Sequence, residues 1–92
     1  MREFTLDGGA VRDRRDLHAA LAQGLDFPHW YGQNLDALRD CLTDLPETRL
    51  TVANPQALED ALGAYAGRFL RVLEDAVSEN PNLHLYLQKE AQ

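Results

Sequence analysis

Hydrophobic and polar residues alternate in short segments near both ends of the chain. In Met1–Leu6, Phe4 and Leu6 alternate with polar residues, and in Leu83–Gln88 three leucines alternate with histidine, tyrosine and glutamine. A period of two residues is typical of strands. A third short run, Arg49–Ala53, is rich in residues that favour strands. The sequence therefore predicts three strands.

Four segments between these strands have the three- to four-residue apolar spacing of helices. Their predicted bounds are about 13–23, 34–44, 55–62 and 67–79. Asp13, Asn34 and Asn54 are each suited to cap a helix start, and Pro55 fits a first helical position. Gly24 is expected just past the end of the first helix, and Pro46 stops the second.

The predicted order of elements is β-α-α-β-α-α-β. Strands separated by helices indicate an α/β fold, here a three-stranded parallel sheet packed by about four helices. Each helix pair is expected to form a right-handed crossover. The 92 residues contain no repeat, linker or low-complexity run, which predicts one domain over residues 1–92.

The second predicted helix has two opposed faces. Its apolar stripe consists of leucines at 35, 38, 42 and 45, and its opposite face carries Asp36, Asp40 and Asp44. Like charges four residues apart disfavour a helix by about 0.2–0.5 kcal/mol per pair. Arg39, beside Asp36 at spacing three, is expected to relieve part of this cost. The row of aspartates suits either a solvated face or a surface that meets basic groups.

The segment before this helix offers two features of a protein interface. Trp30, the one tryptophan, lies between His29 and Tyr31, and aromatic residues beside charge are common interface anchors. Gly32 would let another backbone approach closely. Trp30 as a core aromatic and Gly32 as an ordinary turn residue are equally compatible with these positions.

Net charge narrows the class of partner. The chain carries 15 acidic against 9 basic residues, a net charge of −6. Such a domain repels nucleic acid and attracts basic molecules, although acidity also serves solubility. No apolar run approaches the roughly 20 residues that cross a membrane. The single cysteine, Cys41, cannot form an internal disulfide, which favours a reducing cytoplasm.

The stretch Trp30–Leu42, Trp-Tyr-Gly-Gln-Asn-Leu-Asp-Ala-Leu-Arg-Asp-Cys-Leu, resembles the motif of the barstar family. That motif has an aromatic pair, then Gly-Glu-Asn-Leu-Asp-Ala-Leu, a further aromatic residue and Asp-Cys-Leu. The resemblance implies a small intracellular bacterial inhibitor, or antitoxin, of a basic barnase-like guanyl-specific ribonuclease. It also implies a three-stranded parallel sheet, and an acidic helix that blocks the nuclease active site. No cofactor is implied, and we expect a monomer when the protein is free.

The resemblance also implies roles for single residues. Asp40 would be the central phosphate mimic and Asp36 would pair with another arginine, while Trp30 would stack on the nuclease. The remaining residues expected at the interface are Gly32, Asn34, Arg39, Thr43 and Asp75. Cys41 falls on a family cysteine and is expected to be a packed thiol.

Four positions depart from the family pattern. Arg39 replaces an aromatic residue, Gln33 replaces an acid, Leu45 stands where a tryptophan occurs, and Asp44 is an additional acid. A cation at position 39 would weaken attraction to a basic cleft. The sequence thus predicts either a different target nuclease or a changed role.

Other classes of function are less well supported by the residues. Three aspartates on one helix do not make a metal site without converging ligands, and no zinc spacing or nucleophile motif is present, so we expect no enzyme. His18 is expected on a helix surface and His84 on a strand surface. The remaining alternative is an acidic interaction or immunity domain against a different toxin or partner that is not a ribonuclease.

Overall fold

The computed structural model describes residues 1–88. It contains three strands, β1 (Arg2–Asp7), β2 (Thr48–Ala53) and β3 (Leu83–Gln88), and four helices, α1 (Arg14–Gly24), α2 (Leu35–Thr43), α3 (Pro55–Leu62) and α4 (Ala64–Glu79). A short 3₁₀ turn, Gly8–Ala10, follows β1. The predicted order of strands and helices is confirmed.

The three strands form one parallel sheet in the order β1-β2-β3. Phe4 pairs with Leu50, which pairs with Leu85, so a row of apolar side chains crosses one face of the sheet. Parallel strands need long crossovers, and the helix pairs between the strands supply them. The α/β fold predicted from the pattern is the fold observed.

One hydrophobic core joins the sheet to the helices. Its buried members include residues from every helix and from all three strands: Leu6, Leu17, Leu21, Leu38, Leu42, Leu50, Val52, Leu58, Phe69, Leu73, Ala76 and Leu83. Leu38 and Leu42 are the inward stripe of α2, as predicted, and Leu45 just beyond the helix is also buried. Burial of this stripe turns the opposite face of α2 to the solvent.

Asn80, at the end of α4, holds the end of α2. Its side chain is buried, and its Nδ2 donates to the carbonyl oxygens of Leu42, at 3.0 Å, and Leu45, at 3.1 Å. The last carbonyls of a helix lack partners within the helix and need such donors. This contact fixes α2 against α4 and thereby sets the position of its exposed face.

Two local predictions were wrong. Helix α4 begins at Ala64, so Gly67 lies inside it. Asn54 adopts a left-handed conformation (φ 58°, ψ 55°) and its side chain makes no capping hydrogen bond, although Pro55 does open α3. Gly24 is the last residue of α1, so the helix ends within one residue of the predicted position. A Cβ at position 24 would fall 2.3–2.5 Å from ring atoms of Phe4, so the glycine serves close packing on β1.

Candidate protein-binding site

The start of α2 is fixed by a side-chain cap. Asn34 Oδ1 accepts from the Ala37 N–H at 2.8 Å, and Asn34 Nδ2 donates to the Gly32 carbonyl oxygen at 3.0 Å. The capping role predicted for Asn34 is confirmed. Its amide is also tied to the preceding segment, so Asn34 orients the helix relative to the residues before it.

The outer face of α2 is acidic and free of internal ion pairs. Asp36, Asp40 and Asp44 are all exposed, and none of them forms an ion pair with another residue of the described chain. Thr43 lies half-buried on the same face, and its hydroxyl donates to the Asp40 carbonyl oxygen at 3.0 Å. Three like charges thus stand along one helix face at a cost to helix stability.

Arg39 does not pair with Asp36, which corrects the expectation from spacing. Its Nη2 donates to Glu79 Oε1 on α4 at 2.8 Å, and both side chains are about half exposed. The hydrogen bond and charge of Glu79, with the nearby charges of Asp75 and Asp40, raise the pKa of the Arg39 guanidinium. The pairing brings the Glu79 carboxylate of α4 beside α2.

These residues define one surface, which we name the acidic face: Asp36, Asp40 and Asp44 of α2 with Asp75 of α4. Asp75 is exposed, one turn before Glu79. The family resemblance implied Asp75 at the interface, and the fold brings it near α2 because α2 and α4 pack together. The acidic face carries more negative charge than α2 alone predicts.

The segment between α1 and α2 projects an aromatic side chain beside the acidic face. Trp30 is 73% exposed, so it is not a core residue. Trp30 and Asp44 line one shallow groove of about 250 Å³, with Phe27, Pro28 and Cys41 among its walls. An exposed indole next to an apolar groove is what an interface anchor requires.

Gly32 is exposed and packs closely against the helix cap. A Cβ at this position would lie 3.2 Å from Asn34 Nδ2 and 3.6 Å from the Ala37 Cβ. Gln33, the next residue, adopts a left-handed backbone conformation with a φ of 46°. Small size at position 32 therefore serves the cap of α2, and it leaves the backbone open to a partner.

Cys41 is a partly buried free thiol at the wall of the groove that Trp30 lines. Burial raises its pKa, and the charges of Asp40 and Asp44 add to this effect. A raised pKa keeps the thiol protonated near neutral pH, and the thiolate is the reactive form. The position beside two carboxylates therefore disfavours a nucleophilic role.

His18 is buried, not on the helix surface as expected from its polar character. It is 1% exposed, and its ring nitrogens contact two tyrosine hydroxyls, Nδ1 to Tyr31 Oη at 2.6 Å and Nε2 to Tyr65 Oη at 2.8 Å. Burial lowers the pKa of His18 and raises that of Tyr31. A signal was present in the sequence, because position 18 shares the helical stripe of Leu21 and Leu25.

His84 lies partly exposed on β3, as expected, and its Nε2 pairs with Glu47. Within residues 1–88, no group of three or more histidine, cysteine, aspartate or glutamate side chains converges to hold a metal ion. Among the same residues, no helix combines the length and the apolar character needed to cross a membrane.

Two comparisons with known proteins identify what the chain resembles. Residues 1–88 match the family model described as Barstar (barnase inhibitor). A Bacillus subtilis protein named "Putative ribonuclease inhibitor YrdF" is 44% identical over 82 residues, which covers 86% of this chain and 89% of that protein. The family is one of inhibitors, not of enzymes, in agreement with the absence of catalytic motifs from the sequence.

Proposed function

Since the chain belongs to the barstar family, we propose that it inhibits a basic ribonuclease of the barnase type by covering its active site with α2 and the segment before it. The observation that carries this proposal is the acidic face with exposed Trp30 beside it. Carboxylates presented on a rigid helix can stand where RNA phosphates bind. Asp40, midway along the stripe of α2, is the central group in this arrangement, and Asp36 and Asp75 flank it.

Electrostatics supports a basic partner. The aspartates of α2 repel one another at spacing four, and no basic side chain within residues 1–88 forms an ion pair with them. Arginine and lysine side chains of a nuclease cleft would relieve this repulsion on binding and would steer association. The same charge disfavours RNA as a direct ligand.

Arg39 is compatible with this mechanism because of its partner on α4. A free guanidinium on α2 would repel a basic cleft. The hydrogen bond to Glu79 holds the guanidinium at the α2–α4 junction and offsets its charge. We propose that the acidic face therefore remains attractive to a cation-rich active site, and that the pair replaces the aromatic contact of the family motif.

The remaining sequence expectations become part of the proposal. The inhibitor acts as a monomer in the cytoplasm of a bacterium, as an antitoxin against a nuclease that the cell exports, and it needs no cofactor. Thr43, Gly32 and Asn34 lie at the edge of the contact, where Asn34 and Gly32 mainly fix the geometry of the loop and the helix start.

Titration into a barnase-type ribonuclease, with RNA cleavage as readout, tests the proposal. We expect stoichiometric inhibition, with association slowing as salt is raised from about 0.05 to 0.5 M, because screening weakens steering between opposite charges. Inhibition that persists with a salt-independent association rate contradicts the electrostatic mechanism. No inhibition of any basic ribonuclease, including one encoded beside this gene, contradicts the function itself and favours a different toxin as partner.

A further inference from the structure

Three side chains connect the loop beside the acidic face to two helices. Tyr31 belongs to residues 25–34, which contain no helix or strand, and it lies between exposed Trp30 and exposed Gly32. Its hydroxyl meets His18 of α1, whose other ring nitrogen meets Tyr65 in the first turn of α4. The three residues form a continuous hydrogen-bonded bridge, which we name the His18 bridge.

The bridge is arranged to hold its members in one orientation. A neutral imidazole donates from one nitrogen and accepts at the other, so one tyrosine hydroxyl accepts and the other donates. Within residues 1–88 no buried side-chain nitrogen or oxygen lacks a partner. Rotation of His18 would leave polar atoms unpaired in a buried site, which is costly.

Aromatic packing restrains the same side chains. The Tyr31 ring packs at 5.0 Å from the Phe27 ring and 5.8 Å from the His18 ring, centroid to centroid. Tyr65 lies beneath the guanidinium groups of Arg14, at 4.2 Å, and Arg68, at 5.4 Å. Both ends of the bridge are therefore fixed, one by apolar contact and the other by cation–π contact.

We infer that His18 is a positioning residue for partner binding, which acts through Tyr31 to hold Trp30 and Gly32 in the geometry that the partner meets. The inference rests on the proposed function for its consequence in inhibition, but loop order in the free protein tests it separately. Backbone contacts of the loop support only part of its length: Phe27 N–H donates to the Ala22 carbonyl oxygen and Tyr31 N–H to that of Pro28.

The chain offers a matched series of substitutions. Tyr31→Phe and Tyr65→Phe each remove one hydroxyl from the bridge and keep the ring. Tyr86→Phe makes the same change at an exposed position of β3, outside the bridge, and is the control. Nuclear magnetic resonance order parameters of the amides of residues 29–34 and the fluorescence anisotropy of Trp30 report on loop order without any partner.

We expect Tyr31→Phe and Tyr65→Phe to lower the order of residues 29–34, and Tyr86→Phe to leave it unchanged. Tyr65→Phe is the decisive variant, because its hydroxyl lies on α4 and its hydrogen bond is to His18, not to a residue of the loop. Against the nuclease, both variants should speed dissociation by about twofold to tenfold, the range of one neutral hydrogen bond, with association unchanged. The double variant should differ little from Tyr31→Phe, since both act through one imidazole.

A purely structural role gives a different result. In that case Tyr65→Phe lowers the melting temperature but leaves the order of residues 29–34 and the dissociation rate at wild-type values, and the inference is overturned. Loop order that changes as expected in a protein that inhibits no ribonuclease supports the bridge and contradicts only the proposed function. If loop order is unchanged and inhibition is intact, the proposed function is supported and the inference about His18 is overturned.

Discussion

Asp40→Asn is the substitution that most sharply separates binding from stability. Asp40 is exposed on α2 and has no ion-pair partner within residues 1–88, so the folded protein loses no salt bridge. Removing its charge relieves repulsion from Asp36 and Asp44, about 0.2–0.5 kcal/mol for each pair. It also removes an anion from the second half of a helix, where the macrodipole disfavours it. We expect between no change and about 1 kcal/mol of stabilisation.

The effect on binding should be much larger and of opposite sign. Truncation of one partner in a buried, hydrogen-bonded charge pair typically costs about 2–5 kcal/mol, because the other charge stays buried without compensation. At about 1.4 kcal/mol per tenfold, inhibition should weaken by about 30-fold to several thousand-fold. Inhibition constants from RNA cleavage and melting temperatures from calorimetry measure the two effects independently.

Asp60→Asn is the matched control for this experiment. It makes the same change in net charge on α3, a helix that packs on α4 and the 3₁₀ turn. Equal loss of inhibition in both variants would show that net charge alone matters, and would refute the local role of Asp40. A melting temperature lowered by more than about 4 °C in Asp40→Asn, on the order of 0.5–1 kcal/mol for a domain of this size, would place Asp40 in a structural role instead.

Three further predictions follow from particular contacts. Glu79→Gln releases the Arg39 guanidinium and should weaken inhibition by about twofold to fivefold, the range of an exposed charge pair. Adding Arg39→Gln should restore inhibition, because the released cation is then absent. If the double variant still inhibits weakly, Glu79 itself contacts the nuclease. Gly67→Ala should stabilise the fold by about 0.5–1 kcal/mol, because the added Cβ meets nothing within 4 Å. Gly24→Ala should destabilise the fold by about 1–3 kcal/mol, because the added Cβ overlaps the Phe4 ring. Thermal unfolding in which both variants shift the melting temperature in the same direction contradicts this reasoning. Burial lowers the pKa of His18 in the folded state. The contribution of neutral His18 to stability is therefore complete above about pH 6.5, the ordinary histidine pKa, and is lost as the pH falls from there through the lower pKa of the folded state. Urea unfolding midpoints that fall equally between pH 7.5 and 5.5 in wild type and His18→Gln contradict this prediction.

Much of the fold followed from local patterns in the sequence. Alternation located β1 and β3 to within a residue, and the leucine spacing of α2 identified the side that is buried. These patterns are reliable because burial of one face is the main source of stability for an amphipathic helix or a half-buried strand. The outward direction of Asp36, Asp40 and Asp44 is a direct consequence, and the motif around them was sufficient to indicate the family.

Contacts between distant segments were decided only by tertiary structure. Spacing placed Arg39 beside Asp36, but packing of α2 on α4 offered Glu79, 40 residues away, as a partner. His18 is polar and was expected outside, yet two hydroxyls from other elements, at positions 31 and 65, satisfy both of its nitrogens and make burial tolerable.

The sequence by itself therefore determined the elements, and the inward and outward faces and the charge of α2, since each depends on residues within a few turns of one another. Tertiary structure decided which carboxylates of α2 lack an ion-pair partner within residues 1–88 and which side chains contact Tyr31 in the segment before α2. Polar groups far apart in the chain can satisfy one another only when the fold brings them within hydrogen-bond distance. The spacing of residues within one helix or strand does not indicate which distant groups come together.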